Sequence, residues 1–154
     1  MTELAVVSGW SGTLRGKPAV GAEARRRRRT ATADVVAFTA MTGDRNPLHY
    51  DEGLAAQSRF GRLIVQGGVT SGLLNALVAE DLPGPGTVFL EVQWKFMKAV
   101  GIGEEITARA KVIEVRDDTP ICTLATTIEN GAGEVCLTGI AVTYTVALAP
   151  SKSG

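Results

Sequence analysis

The chain has 154 residues, a length that fits one domain, and 45% of them are apolar, enough for a core. Lys+Arg and Asp+Glu are both 16, and that balance gives no general attraction to nucleic acid or to an anionic membrane. Two cysteines, Cys122 and Cys136, form no CxxC pair and no metal spacing, and a single histidine with no clustered cysteine does not build an ordinary metal site.

The start, Met1-Thr2-Glu3-Leu4, has no basic region of the kind that opens a signal peptide, and no apolar run approaches a membrane span. A cytoplasmic, soluble protein is expected. Residues 1–20 are rich in Gly and Ser without a period and read as an irregular lead-in, and 149–154 read as a frayed tail, leaving 21–148 as one domain. A first strand is expected around 22–30. A helix over 32–41 follows, with Thr32 as its cap and Val35, Phe38 and Met41 on one face, and Gly43 ends it. Residues 44–49 form a polar turn, because Pro47 lacks an N–H and pushes Asn46 away from helical angles. A short helical piece is expected near 51–57.

Residues 69–80 are apolar around nearly the whole helical circumference, with no charge before Glu80. Such a helix is buried, and at this length it is too short to cross a membrane. The C-terminal half supplies what covers it. Val88, Leu90, Val92, Trp94 and Phe96 alternate with Glu91, Gln93 and Lys95, the period of a strand with one wet face. Ile106, Ala108, Ala110 and Val112 repeat the pattern, and the phase then slips to Ile113 and Val115, as at a β-bulge. A third strand carries Cys122, Leu124 and Ile128, and Ile140, Val142, Tyr144, Val146 and Leu148 mark the last. The turns at 117–120 and 130–133 are short, so neighbouring strands are antiparallel. The fold class is α+β: a hot-dog fold, a curled antiparallel sheet wrapped around one buried central helix. One layer leaves a sheet edge and part of the helix uncovered, so a homodimer is expected.

The chemistry lies in the polar turn. Asp44 and the only imidazole in the chain, His49, stand five residues apart on either side of a proline bend. A carboxylate and a neutral imidazole that converge hold one water and move its proton. This segment closely resembles the hydratase signature of the MaoC-like dehydratases and (R)-specific enoyl-CoA hydratases, whose Gly43-Asp44-x-Asn46-Pro47-Leu48-His49 core it matches without a departure. The resemblance spans roughly 20–146 and includes the stretch from Phe60 to Gly68. It implies that Asp44 and His49 are the catalytic pair and that Asn46, with Pro47, holds the turn or positions Asp44. It also implies that the backbone N–H of Gly67 points at the thioester oxygen. That last role has an independent reason, since the first N–H groups of a helix have no internal partner and carry partial positive charge. The resemblance further implies addition of water to an enoyl thioester, or its removal from an (R)-3-hydroxyacyl thioester. No cofactor is needed beyond the coenzyme A or phosphopantetheine of the substrate, and an acyl carrier protein is a possible partner.

Two positions depart from the family pattern: Gln66 stands where relatives carry His, and Asn75 aligns with a serine of the short (R)-hydratases. They leave room for an accessory, non-catalytic protomer, and thioester hydrolysis is a third reading. Arg25, Arg26, Arg27, Arg28 and Arg29 read first as a charged sheet edge and second as a phosphate contact.

Overall fold

The computed structural model describes residues 8–148. Five strands form one antiparallel sheet: β1 (Glu23–Arg29), β2 (Thr87–Phe96), β3 (Glu105–Val115), β4 (Ile121–Asn130) and β5 (Val135–Thr145), in the order β1-β3-β4-β5-β2. Between β1 and β2 run α1 (Thr32–Thr42), a 3-10 turn (Pro47–His49), α2 (Glu52–Gln57) and α3 (Gly67–Ala76), which a wider π-type turn (Leu77–Asp81) continues. Leu73, Leu74, Leu77 and Val78 of this central helix meet Ile106, Ala108, Ala110 and Val112 of β3 and Cys122, Leu124 and Ile128 of β4 in one buried cluster. That is the hot-dog arrangement the patterning predicts.

The bulge expected after Val112 is present, since the β3–β4 register shifts between Val112 and Glu114. The arginine run lies on β1, an edge strand, and its side chains divide by face. Arg26 pairs with Asp81 and Arg28 with Asp34, whereas Arg27 and Arg29 both reach Glu105. Cys122 and Cys136 are free and buried, and burial pushes the Cys122 thiol up to about 11.

The α1 cap is Ala31, not Thr32: Ala31 is extended, and its N–H donates to the Asp34 carboxylate at 2.9 Å. The buried α1 residues are Val35 and Thr39, while Met41 is 75% exposed. The central helix is not buried all round, because Asn75 is exposed on it. In β2 a register shift between Phe89 and Glu91 turns Phe89 to the core and leaves Val88 and Leu90 outside. In β5 the core face carries Leu137, Ala141, Thr143 and Thr145, so the apolar series Ile140, Val142 and Tyr144 points the other way. Alternation alone does not settle which face is inside when both faces carry apolar residues.

The lead-in contributes to the core. Trp10 is buried in the main cluster and donates from its indole N–H to the Arg116 carbonyl at 2.7 Å. The frayed tail expected at 149–154 lies outside the described residues.

Candidate active site

The turn that carries Asp44 and His49 is held by short-range hydrogen bonds. Gly43 ends α1 in the left-handed conformation (φ 83°), and its N–H donates to the Thr39 carbonyl at 2.7 Å. The Asn46 N–H donates to Asp44 Oδ1 at 3.1 Å, and Asn46 Oδ1 accepts from the Leu48 N–H at 3.1 Å. Asn46 therefore holds Asp44 through its backbone and the next turn through its side chain. Pro47, with no N–H to lose, opens the 3-10 turn that ends at His49. The Ile64 N–H donates to the Leu48 carbonyl at 3.1 Å, which joins the turn to the segment entering α3.

His49 is 7% exposed, and its Nδ1 lies 2.7 Å from the Ile64 carbonyl oxygen. A carbonyl only accepts, so Nδ1 carries a proton, and the tautomer this selects for a neutral ring has its lone pair on Nε2. Nε2 stands 3.9 Å from Asp44 Oδ2. With Oδ1 engaged by the Asn46 N–H, Oδ2 is the free carboxylate oxygen. Two acceptors at that separation suit the two hydrogens of one water molecule, each at an ordinary hydrogen-bond length of about 2.8 Å.

Gly67 opens α3, and the N–H groups of Gly67 and Gly68 have no acceptor among the described residues. His49 and Gly67 line one cavity of about 360 Å³, together with Thr70 and Phe96 and, toward solvent, Arg59 and Lys98. Asp44 is not among its lining residues and meets it through His49. The Phe96 ring lies close enough to Gly67 that a Cβ added there would stand 3.3 Å from it. Lys98 is paired with Glu134, whereas Arg59 lies over the Phe60 ring, 5.7 Å from its centroid.

The structure thus sets Asp44, Asn46, Pro47 and His49 on one turn, and His49 alone of these shares a cavity with Gly67. It does not bring Asn75 to the His49 cavity. Gln66 is buried beneath the site and joins a network with Thr39 and Tyr50 that the sequence reading missed. The available signal was Thr39, a polar residue four after Val35 on the buried side of α1.

Fold and site together define the class of hot-dog hydratases and dehydratases. The model of the MaoC like domain matches residues 16–132, and the chain belongs to that family. It is 41% identical to an (R)-specific enoyl-CoA hydratase of Aeromonas caviae over 123 residues, 80% of this chain and 92% of the relative. It is 38% identical to a 3-hydroxybutyryl-CoA dehydratase of Methylorubrum extorquens over 112 residues, 73% of this chain and 71% of the relative. The solved structure of an (R)-hydratase from Aeromonas caviae involved in PHA biosynthesis superposes with a TM-score of 0.80 at 39% identity, covering 84% of this chain and 98% of that one.

Proposed function

We propose that the protein interconverts a trans-2-enoyl thioester and an (R)-3-hydroxyacyl thioester, with Asp44 and His49 holding the reacting water and Gly67 N–H receiving the thioester oxygen. The observation that carries this reading is the 3.9 Å approach of His49 Nε2 to Asp44 Oδ2, in a site where His49 shares a cavity with the free N–H of a helix start. In hydration the water oxygen bonds to Cβ, and its proton passes to Asp44, the main base, with His49 Nε2 as partner and shuttle. Negative charge moves to the carbonyl oxygen, where the Gly67 N–H and the α3 terminus meet it. A proton returned from the pair then reaches Cα, so both residues end the turnover unchanged. Losing an oxyanion donor of this kind costs about 3–4 kcal/mol of barrier. The names of the two relatives support coenzyme A as the carrier and the (R) configuration.

The working unit we infer is a homodimer of a single domain, and that domain includes the lead-in, because Trp10 packs into its core. Its support is the free edge of β2, where Val92 and Phe96 are apolar and exposed, and the exposed side of α3 at Asn75. Two free buried thiols fit a reducing, cytoplasmic setting. Among the described residues no helix is long and apolar enough to cross a membrane.

Purified protein mixed with a short trans-2-enoyl-CoA tests the reaction. Loss of the conjugated absorbance without release of free thiol is the expected result. Thiol release instead identifies a thioesterase, and neither signal across several chain lengths identifies an accessory protomer; both overturn the proposal.

A further inference from the structure

We infer that Gln66 is a positioning residue that locks the Gly67 N–H to the backbone of Asp44 through the hydroxyl of Thr39. The inference rests on the reaction proposed above and adds a component to it.

Gln66 is 1% exposed and immediately precedes Gly67. Its amide nitrogen lies 3.1 Å from the Val35 carbonyl oxygen and 3.3 Å from Thr39 Oγ1, both on α1. The Thr39 hydroxyl lies 2.7 Å from the Asp44 carbonyl oxygen and touches the Tyr50 hydroxyl. The Tyr50 hydroxyl in turn lies 3.5 Å from the Val35 carbonyl.

The two hydroxyl protons of Thr39 and Tyr50 serve the Asp44 carbonyl, the Thr39–Tyr50 contact and the Val35 carbonyl, so one of these three contacts carries no proton. The Asp44 and Val35 carbonyls accept and never donate. Gln66 Nε2 only donates, so Thr39 Oγ1 accepts from it; with the Thr39 proton on the Asp44 carbonyl, Tyr50 donates either to Thr39 or to the Val35 carbonyl. Both N–H groups of Gln66 are then used, on Val35 and on Thr39. Flipping the amide would set Oε1 against the Val35 carbonyl, two acceptors face to face, which fixes the orientation drawn. Gln66 Oε1 is left buried with no partner among the described residues. The donors of Gln66 therefore carry the link, and its acceptor does not.

The result is a chain of covalent and hydrogen bonds from the oxyanion donor to the base: Gly67, Gln66, Thr39, Asp44. α3 and α1 are separate elements, and their relative placement sets the distance between the thioester oxygen and the attacking water. A misplacement on the order of 1 Å at a reacting centre lowers turnover by about 100-fold while leaving binding largely intact. The amide also explains why this chain tolerates Gln where relatives carry His. An imidazole offers an N–H donor from the same position.

The test compares Gln66→Met, Gln66→His, Thr39→Val and the Gln66→Met/Thr39→Val double variant with the wild type in enoyl-CoA hydration. Gln66→Met keeps the volume and removes both donors, and it should lower kcat by about 10- to 100-fold with KM changed less than about 3-fold. Thr39→Val breaks the same link from α1 and should do likewise; it supplies the reading should Gln66→Met not fold. The double variant should be no slower than the slower single variant within about 3-fold, because both remove one connection. Gln66→His should restore kcat to within about 5-fold of the wild type, since it returns a donor. Unchanged kcat in Gln66→Met, or losses that multiply in the double variant, overturns the inference and leaves the proposed reaction standing. Absence of hydration in the wild type overturns both.

Discussion

At the scale of single residues the site is economical. Asp44 offers one free carboxylate oxygen, because the Asn46 N–H holds the other. His49 offers one free nitrogen, because the Ile64 carbonyl holds the proton on the other. Each group is thus presented as an acceptor, and a water between them has both hydrogens engaged and a lone pair left for attack. Asp44→Asn replaces an acceptor and base by an amide, and His49→Gln removes the ring nitrogen that faces Asp44. Each variant should lower kcat for hydration of a short enoyl-CoA by at least about 100-fold, with far-ultraviolet circular dichroism unchanged. Full activity in either would remove that residue from the chemistry. Much of this was legible in the sequence, because Asp44, Asn46, Pro47 and His49 sit within six positions and the turn is set by local hydrogen bonds. What was not legible is Gln66 beneath the site, which bonds to Val35 and Thr39 about thirty residues away. Its role depends on how α3 packs against α1, and no local pattern records that.

At the scale of elements, a strand's buried face is legible in the sequence where its other face is clearly polar. β3 alternates cleanly and buries Ile106, Ala108, Ala110 and Val112 as the alternation picks out, whereas the buried face of β4 adds Thr126 and Asn130 to Cys122, Leu124 and Ile128. In β5 Ile140, Val142 and Tyr144, which mark the strand in the sequence, form an apolar series on one face, while Leu137, Ala141 and Thr143 form the buried series on the other. In β2 the bulge near Leu90 reverses the phase of the first half of the strand. The β2–β5 pairing depends on a close approach at Gly139, which pairs with Trp94. The Trp94 indole N–H donates to Thr126 Oγ1 at 3.0 Å, and the Thr126 hydroxyl donates to the Gly139 carbonyl at 2.9 Å, so three strands are tied at one level. Gly139 has φ 156°, and a Cβ there would stand 1.8 Å from the Gln93 carbonyl oxygen. Gly139→Ala should therefore destabilise the protein by about 3 kcal/mol, read as a lower urea midpoint with an unchanged slope. A loss below about 1 kcal/mol would mean that β2 moves aside freely.

At the scale of the whole molecule, the sheet has two edges with opposite character. β1 presents charge, with Arg27 and Arg29 reaching Glu105 across the outer face. β2 presents apolar side chains, with Phe96 58% exposed and its ring against Gly67. That contrast places the proposed dimer contact on β2, next to the reaction site. Light scattering should give twice the 16.1 kDa of one chain, and Val92→Lys should shift the population to the single-chain mass. A wild-type protein that remains at 16.1 kDa at high concentration would exclude the dimer. The wider account depends on how a thioester lies between the acid–base pair and the α3 terminus. The most direct measurement is a crystal structure of the Asp44→Asn variant soaked with a trans-2-enoyl-CoA. The account predicts the thioester oxygen at hydrogen-bond distance from the Gly67 N–H and Cβ about 3–4 Å from a water held at residue 44 and His49. A thioester bound with its carbonyl carbon, rather than Cβ, facing that water, or bound away from Gly67 altogether, would contradict it.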